Sequence, residues 1–402
     1  MQRMRSASGL MPPSLGMRHQ PSGLNSRFIG NLPEFAEYIT QSREMLTRAH
    51  TALGTADIAK AVEGNAPFEL KPAVTSSQGK NKAYRRGVLL VHGLTDSPYF
   101  MRYLAEFFQQ NGFRVMAILL SGHGTQPGDL LDISWREWAK AVAYGVDRLA
   151  EEAEEVYLAG YSAGGSLSVY QSLCDDRVRG LFLFSPALRV SPRAAFANLH
   201  KLYSWLAPSG KWLTIKQDLD IYKYESFPKN AAAQMYALTR EIKARLRGHE
   251  MSIPVFAAAS EDDTTTSSAA TIKFIARSHN ALSRLVLYTR EPDRLPPDIP
   301  AERLECVNSA VPAERIISSA HTSIMLPGSD VHYGRQGEYS NCQHYYPADM
   351  EKYAACAAQK DQTLQGEITG ENLEKGVLRR LMYNPNFDSL MASMLRFIEN
   401  LT

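Results

Sequence analysis

The chain has 402 residues, 44% of them hydrophobic and 21% charged, which is the make-up of a globular protein with room for one large or two ordinary domains. A formal net charge of +2, with the arginines scattered rather than gathered into a stripe, excludes nucleic acid as an expected partner. No run approaches the roughly 18 apolar residues that span a bilayer, so no transmembrane segment is expected, while contact with a lipid surface stays open. Cys174, Cys306, Cys342 and Cys356 lack the Cys-x-x-Cys or Cys/His spacing of a zinc site, so no metal is expected. They read as ordinary thiols of a reducing, cytoplasmic compartment; a bridge between Cys342 and Cys356 would point instead to an oxidising one.

Residues 1–80 read as a leader and an outer helix. The first 33 carry Arg3, Arg5, Arg18 and Arg27 with no acidic residue and several Gly, Pro and Ser, which predicts flexibility. Phe35, Ile39, Met45 and Leu46 predict a helix packed on the outside of the main domain, and 63–83 reads as connecting loop.

At residue 81 a core begins that runs to 189. Arg86 to Val91 is a continuous apolar strand ending in His92-Gly93. A helix carrying Met101, Leu104, Phe107 and Phe108 follows, Asn111-Gly112 stops it, and Phe113 to Leu119 is the next strand. The loop Ser121 to Gly128, a helix from Ser134 to Ala150 and a strand from Val156 repeat the theme, and Leu181 to Ser185 adds another strand. Strand, helix, strand at these lengths implies a parallel sheet with right-handed crossovers, hence a doubly wound, mostly parallel α/β fold.

Residues 190–252 read as an inserted helical cap. Its Tyr203, Trp205, Trp212, Tyr222, Tyr224, Met235 and Tyr236 either form the cap's own core or line an apolar acyl pocket. The core resumes over 253–325 with the strand Ile253 to Ala259. Arg284 to Tyr288 and Arg315 to Ser319 compete for the place of terminal strand. An irregular excursion is expected over 326–384, and 385–402 closes with an amphipathic core helix carrying Leu390, Met391, Met394, Leu395 and Ile398.

The chemistry centres on Gly160-Tyr161-Ser162-Ala163-Gly164, a Gly-x-Ser-x-Gly run between a strand and a helix. A serine hydroxyl is a weak nucleophile unless a sharp turn exposes it beside a base, and small flanking residues permit that turn. Acyl transfer then needs an acid and a histidine further along the chain. Ser260-Glu261-Asp262-Asp263 follows a strand's C-terminal end, where catalytic groups gather in open α/β sheets, and three carboxylates compete there. His321 follows the candidate strand Arg315 to Ser319 and is the expected base, ahead of His279, His332 and His344. The developing oxyanion needs two backbone donors, and these are assigned to the N–H groups of Ala163 and Leu94. His92 and His123 read as structural.

The set Leu89 to Pro98, Ser121 to Leu130, Trp135 to Trp138 and Gly160 to Gly164 resembles the α/β-hydrolase superfamily, in its bacterial carboxylesterase and monoacylglycerol lipase branch. The resemblance covers 85–190 closely and resumes around 253–263 and 315–325. It implies that Asp263 is the acid, with Asp262 as the competitor because Ser260 replaces a usual glycine, and it puts the oxyanion residue after His-Gly on Leu94. The cap and the long excursion after His321 depart from the family's pattern. The expected protein is a cofactor-independent serine hydrolase acting on a small acyl-ester or lipid-like substrate with a short or medium acyl chain. An acyltransferase or thioesterase with the same triad, and a catalytically silent binding scaffold, are the alternatives.

Overall fold

A computed structural model describes residues 15–28, 34–73, 82–190, 208–248 and 251–401. Much of the expected leader (1–14 and 29–33), residues 74–81, and cap residues 191–207 with Tyr203 and Trp205 lie outside that set.

After α1 (Phe35–Ala52) and α2 (Ile58–Asn65), the chain alternates strands and helices. It runs through β1 (Phe68–Leu70), β2 (Tyr84–Val91), α3 (Arg102–Gln110), β3 (Phe113–Ile118), α4 (Trp135–Glu152), β4 (Ala153–Tyr161), α5 (Ala163–Ser172) and β5 (Val178–Phe184). Next come the short antiparallel pair β6 (Trp212–Thr214) and β7 (Phe227–Pro228), then α6 (Lys229–Arg245), β8 (Val255–Ser260), α7 (Ser268–Ala276), β9 (Arg284–Thr289) and β10 (Leu304–Asn308). The chain continues with α8 (Met350–Ala358), β11 (Leu364–Gly366), α9 (Gly370–Glu374), β12 (Leu378–Arg380) and α10 (Phe387–Glu399).

Eight strands form one sheet in the order β1-β3-β2-β4-β5-β8-β9-β10, parallel throughout except for β1 against β3. This is the doubly wound, mostly parallel sheet the alternation predicts. Its central strands are buried on both faces, so their side chains divide by the two-residue period of a strand. Leu89 and Val91 enter one hydrophobic cluster, which α4, α5, α6 and α7 cover with Trp138, Leu167, Leu238 and Ile275. Val88 and Leu90 enter the other, covered by Leu104 and Phe108 of α3 and Leu390, Met394 and Phe397 of α10.

Four local expectations need correction. Residues 15–28 are not a loose leader: the buried His19 ring lies 3.1 Å from Ser226 Oγ, Asn25 donates to the carbonyls of Leu120 and His123, and Ser22 N–H and Oγ–H both go to Asp129. The arginine-rich composition hid short polar side chains that meet the loop after β3, Asn25 at its main-chain carbonyls and Ser22 at the Asp129 carboxylate. The 63–83 stretch holds the end of α2 and β1, which caps the sheet edge at β3. The terminal parallel strand is β10, a half-exposed edge strand with little apolar signal. With that place taken, Arg315 to Ser319 is no strand of the main sheet: Ile316 makes isolated bridges to Val311 and Gln365. The 326–384 stretch is more ordered than expected, holding α8, α9 and the parallel pair β11–β12.

Cys342 and Cys356 are joined in a disulfide buried with Tyr345, which corrects the reading of them as ordinary thiols. Cys174 and Cys306 are free. A thiol count on the unfolded, unreduced protein should therefore find two reactive cysteines, rising to four after reduction; four at the outset would disprove the bridge.

Candidate active site

The chain leaves β2 toward β3 on one side and returns through β4 toward β5 on the other, so the adjacent ends of β2 and β4 form the switch point of the sheet, where open α/β folds place their ligands. The turns after these two strands carry Leu94 and Ser162.

Ser162 has φ 52° and ψ −113°, a conformation that costs a non-glycine residue on the order of 1–3 kcal/mol and survives only where its surroundings enforce it. The surroundings do so through two glycines. A Cβ on Gly160 would lie 2.3 Å from the Gly164 carbonyl oxygen, and one on Gly164 would lie 2.0 Å from the Val91 carbonyl oxygen. Only bare backbone lets α5 start this close to β4 and β2. The Ser162 N–H donates to Phe184 O (2.9 Å), and Ser162 O accepts from Ala187 N–H (3.0 Å). Ala163 opens α5, where the helix presents its unpaired N–H groups and the positive end of its dipole.

His92 governs the neighbouring turn. Leu120 N–H donates to its Nε2 at 3.0 Å, so its ring proton sits on Nδ1 and goes to the Gly93 carbonyl 2.8 Å away. Asp96 N–H donates to the same carbonyl at 3.3 Å. In a planar trans peptide the Gly93 C=O and the Leu94 N–H point in opposite directions, so clamping one aims the other. Burial holds His92 well below the ordinary histidine range and pushes His123 down to about 4, so both stay neutral, as structural rings should. From the region expected as cap, Lys223 pairs with the buried Asp96 and donates to Thr95 Oγ1 at 3.1 Å, while Tyr224 N–H holds Thr95 O at 2.8 Å.

Of the three acidic candidates, Asp263 meets the histidine: its Oδ2 lies 2.7 Å from His321 Nδ1, and His321 Nε2 lies 3.0 Å from Ser162 Oγ. Asp262 faces the other way, 3.1 Å from Arg290 Nε and accepting Ser319 N–H at 3.1 Å, and Glu261 takes the Thr289 hydroxyl. Burial opposes the charge of Asp263, but His321 and the N–H and hydroxyl of Thr266 outweigh it and hold its carboxyl below the usual carboxylate range. Of the other histidines, His332 sits apart, against Asp220 and Glu338.

Two residues at this site carry no sequence signal. Glu367 accepts the main-chain N–H of His321 at 3.0 Å, and Arg380 Nη2 donates to the same carboxylate oxygen at 3.0 Å. Both lie in the stretch expected to be irregular, where no motif marks them. Of the aromatics assigned to the cap, Tyr222 stacks on Tyr99 at 3.9 Å and Trp212 packs against His19. Tyr236 lines a groove of about 780 Å³ between α6 and α7, which none of Ser162, Asp263 and His321 lines.

Comparison with known proteins gives a family and a set of partial likenesses. A family model described as serine aminopeptidase, S33, matches residues 82–290, more than half of the chain; the span includes Ser162 and Asp263 and stops short of His321. A thermostable monoacylglycerol lipase of Bacillus sp. (strain H-257) is 30% identical over 161 residues, 40% of this chain and 64% of that protein. A carboxylesterase of Bacillus subtilis (strain 168) is 32% identical over 85 residues, 21% of this chain and 35% of that protein. The chain thus spans less than two thirds of either curated relative. Among solved structures, one described under the metagenome-derived lipolytic enzymes LipS and LipT is 23% identical with a TM-score of 0.46, covering 56% of this chain and 87% of its own. The monoacylglycerol lipase of Paleococcus ferrophilus is 19% identical with a TM-score of 0.42, covering 56% and 88%.

The lowered pKa of Asp263 makes its charge a stabilising element. Its folded value lies below its unfolded one, so the contribution is complete above the ordinary carboxylate range and fades as pH falls through the folded value. Asp263→Asn should lower Tm at pH 7, and the gap to the parent should narrow as the pH is taken toward 3; a gap that stays constant would remove the charge from the account.

Proposed function

The chain belongs to the serine aminopeptidase S33 family of α/β hydrolases, and from that premise we propose that it hydrolyses carboxylic esters of short or medium acyl chain through an acyl-Ser162 intermediate. The observation that carries the reading is the continuous contact from Ser162 Oγ through His321 to Asp263, 3.0 Å and then 2.7 Å, ending on a serine held in a strained turn.

As Ser162 Oγ attacks the ester carbonyl, its proton passes to His321 Nε2; the ring, now charged, keeps its Nδ1–H on Asp263 and returns the Nε2 proton to the departing alkoxide. Water then repeats the sequence in reverse, with His321 as its base, and releases the acid. The negative oxygen of each tetrahedral intermediate is taken by the N–H groups of Ala163 and Leu94, and removing one such donor typically costs about 10²–10³ in kcat. No cofactor enters these steps.

The family's description raises peptide substrates as a second reading. An aminopeptidase must hold a protonated α-amine with a carboxylate. Three carboxylates beside the turns and His321 already carry a cation: Asp96 has Lys223, Asp262 has Arg290, and Glu367 has Arg380. That charge pairing favours the ester, as do the names of the two curated relatives.

Ser162→Ala should lower p-nitrophenyl ester hydrolysis by more than about 10⁴-fold without lowering Tm. A fluorophosphonate should label Ser162 in the parent alone. Turnover that survives the substitution would refute the mechanism, and faster cleavage of aminoacyl amides than of any ester in a chain-length panel would transfer the protein to the peptidase reading.

A further inference from the structure

This inference rests on His321 being the base. The ring of His321 is held by Asp263 and lies against Tyr161, their centroids 5.3 Å apart and their planes 27° from parallel. Its main chain is held separately, on both sides. The carbonyl accepts the Tyr161 hydroxyl at 3.2 Å, and the N–H goes to Glu367 Oε2 at 3.0 Å.

Glu367 is fully buried. Its Oε2 also accepts Arg380 Nη2–H, and its Oε1 accepts the Ile368 N–H at 2.9 Å. The strands deliver this arrangement. Gln365 of β11 exchanges main-chain hydrogen bonds with Arg315 and Ile317, both 2.9 Å, and Glu367 N–H donates to Ser318 Oγ at 2.9 Å, so residues 315–318 are laid along β11 on the approach to His321. Parallel pairing sets Gly366 beside Arg380. Arg380 N–H in turn donates to the carbonyl of Asn341, the residue before the bridged Cys342.

A carboxylate as deeply buried as that of Glu367 is held charged only where a cation and hydrogen-bond donors meet it, and the part-exposed Arg380 supplies that cation. A plain structural loop has no need of such a pair, since a backbone carbonyl would satisfy the His321 N–H. A charged acceptor binds an N–H more strongly than a neutral carbonyl does. We propose that Glu367, neutralised by Arg380, is a positioning residue for His321, fixing the main chain of the base so that Nε2 stays within reach of Ser162 Oγ. Glu367 touches neither substrate nor reacting atoms; it acts through the histidine.

Glu367→Gln keeps the shape but turns one acceptor into a donor and leaves Arg380 unneutralised. It should lower kcat about 10²-fold, the scale of an ångström's misplacement, with KM within about twofold. Ser162 labelling by the fluorophosphonate should slow in proportion. Loss of the negative charge beside the imidazolium should also move the acidic limb of the kcat/KM profile to lower pH, which a general loosening of the fold would not do. Should that variant fail to fold, Glu367→Met combined with Arg380→Met removes both charges and leaves no unpaired ion. It should show the same loss in kcat with the limb where the parent has it. A folded Glu367→Gln with parental kcat and limb, or a double variant with parental kcat, overturns the proposal. The parent run alongside separates two failures: no adduct on its Ser162 takes down the hydrolase reading as well, whereas a labelled parent and an equally fast variant take down this inference alone.

Discussion

The contact between Gly164 and the last residues of β2 is the constraint from which the rest of the site follows. With Val91 O where a Cβ on Gly164 would fall, the first turn of α5 rests directly on the backbone leaving β2. That closeness forces Ser162 into its positive φ and brings the Ala163 and Leu94 turns side by side. In the proposed mechanism neither turn needs a long side chain to reach the reacting centre, because both would offer main-chain groups, whose direction is fixed by peptide planarity rather than by rotamer choice. His92 contributes to the same economy of motion: a neutral, buried ring clamps one carbonyl and thereby sets the neighbouring N–H.

The sheet was legible in the sequence because its strands are buried on both faces and so appear as unbroken apolar runs of the right length, bounded by glycine and asparagine. The glycines around Ser162, and the places of His321 and the acidic cluster after candidate strands, pointed to side chains that the structure brings within hydrogen-bond distance of one another. The choice within the cluster was not legible. Asp262 and Asp263 are adjacent, and only three-dimensional partners distinguish them: Arg290 and Ser319 for one, His321 and Thr266 for the other. β10 escaped notice because an edge strand shows one face to water and needs few apolar residues. The strand expected at 315–319 carries a convincing apolar pair, yet its partner is a strand of three residues some fifty positions later, and short non-local pairings leave no periodicity to read.

The stretch 326–384 lies beyond the residues that the family model matches. Its elements are brief, and what orders them is pairwise and specific: a disulfide, a two-stranded parallel ladder, and buried ionic and hydrogen-bonded groups. Tyr333 donates to Asp220 at 2.6 Å, and Lys216 reaches the carbonyls of Gln343 and Tyr346 at 2.7 and 2.5 Å, tying this stretch to residues 216–220. The same kind of tie joins Lys223 to Asp96 beneath the turn after β2. Regions outside the common sheet thus bear on the site from two sides, one against the turn after β2 and the other against the histidine.

The grip of Glu367 on His321 also orders events in time. A ribosome delivers Ser162, Asp263 and His321 before it delivers Glu367 and Arg380. A nascent chain with all three side chains already in the open can hold the His321 carbonyl through Tyr161 but has no carboxylate for its N–H, and the finished arrangement waits on the stretch that emerges after them.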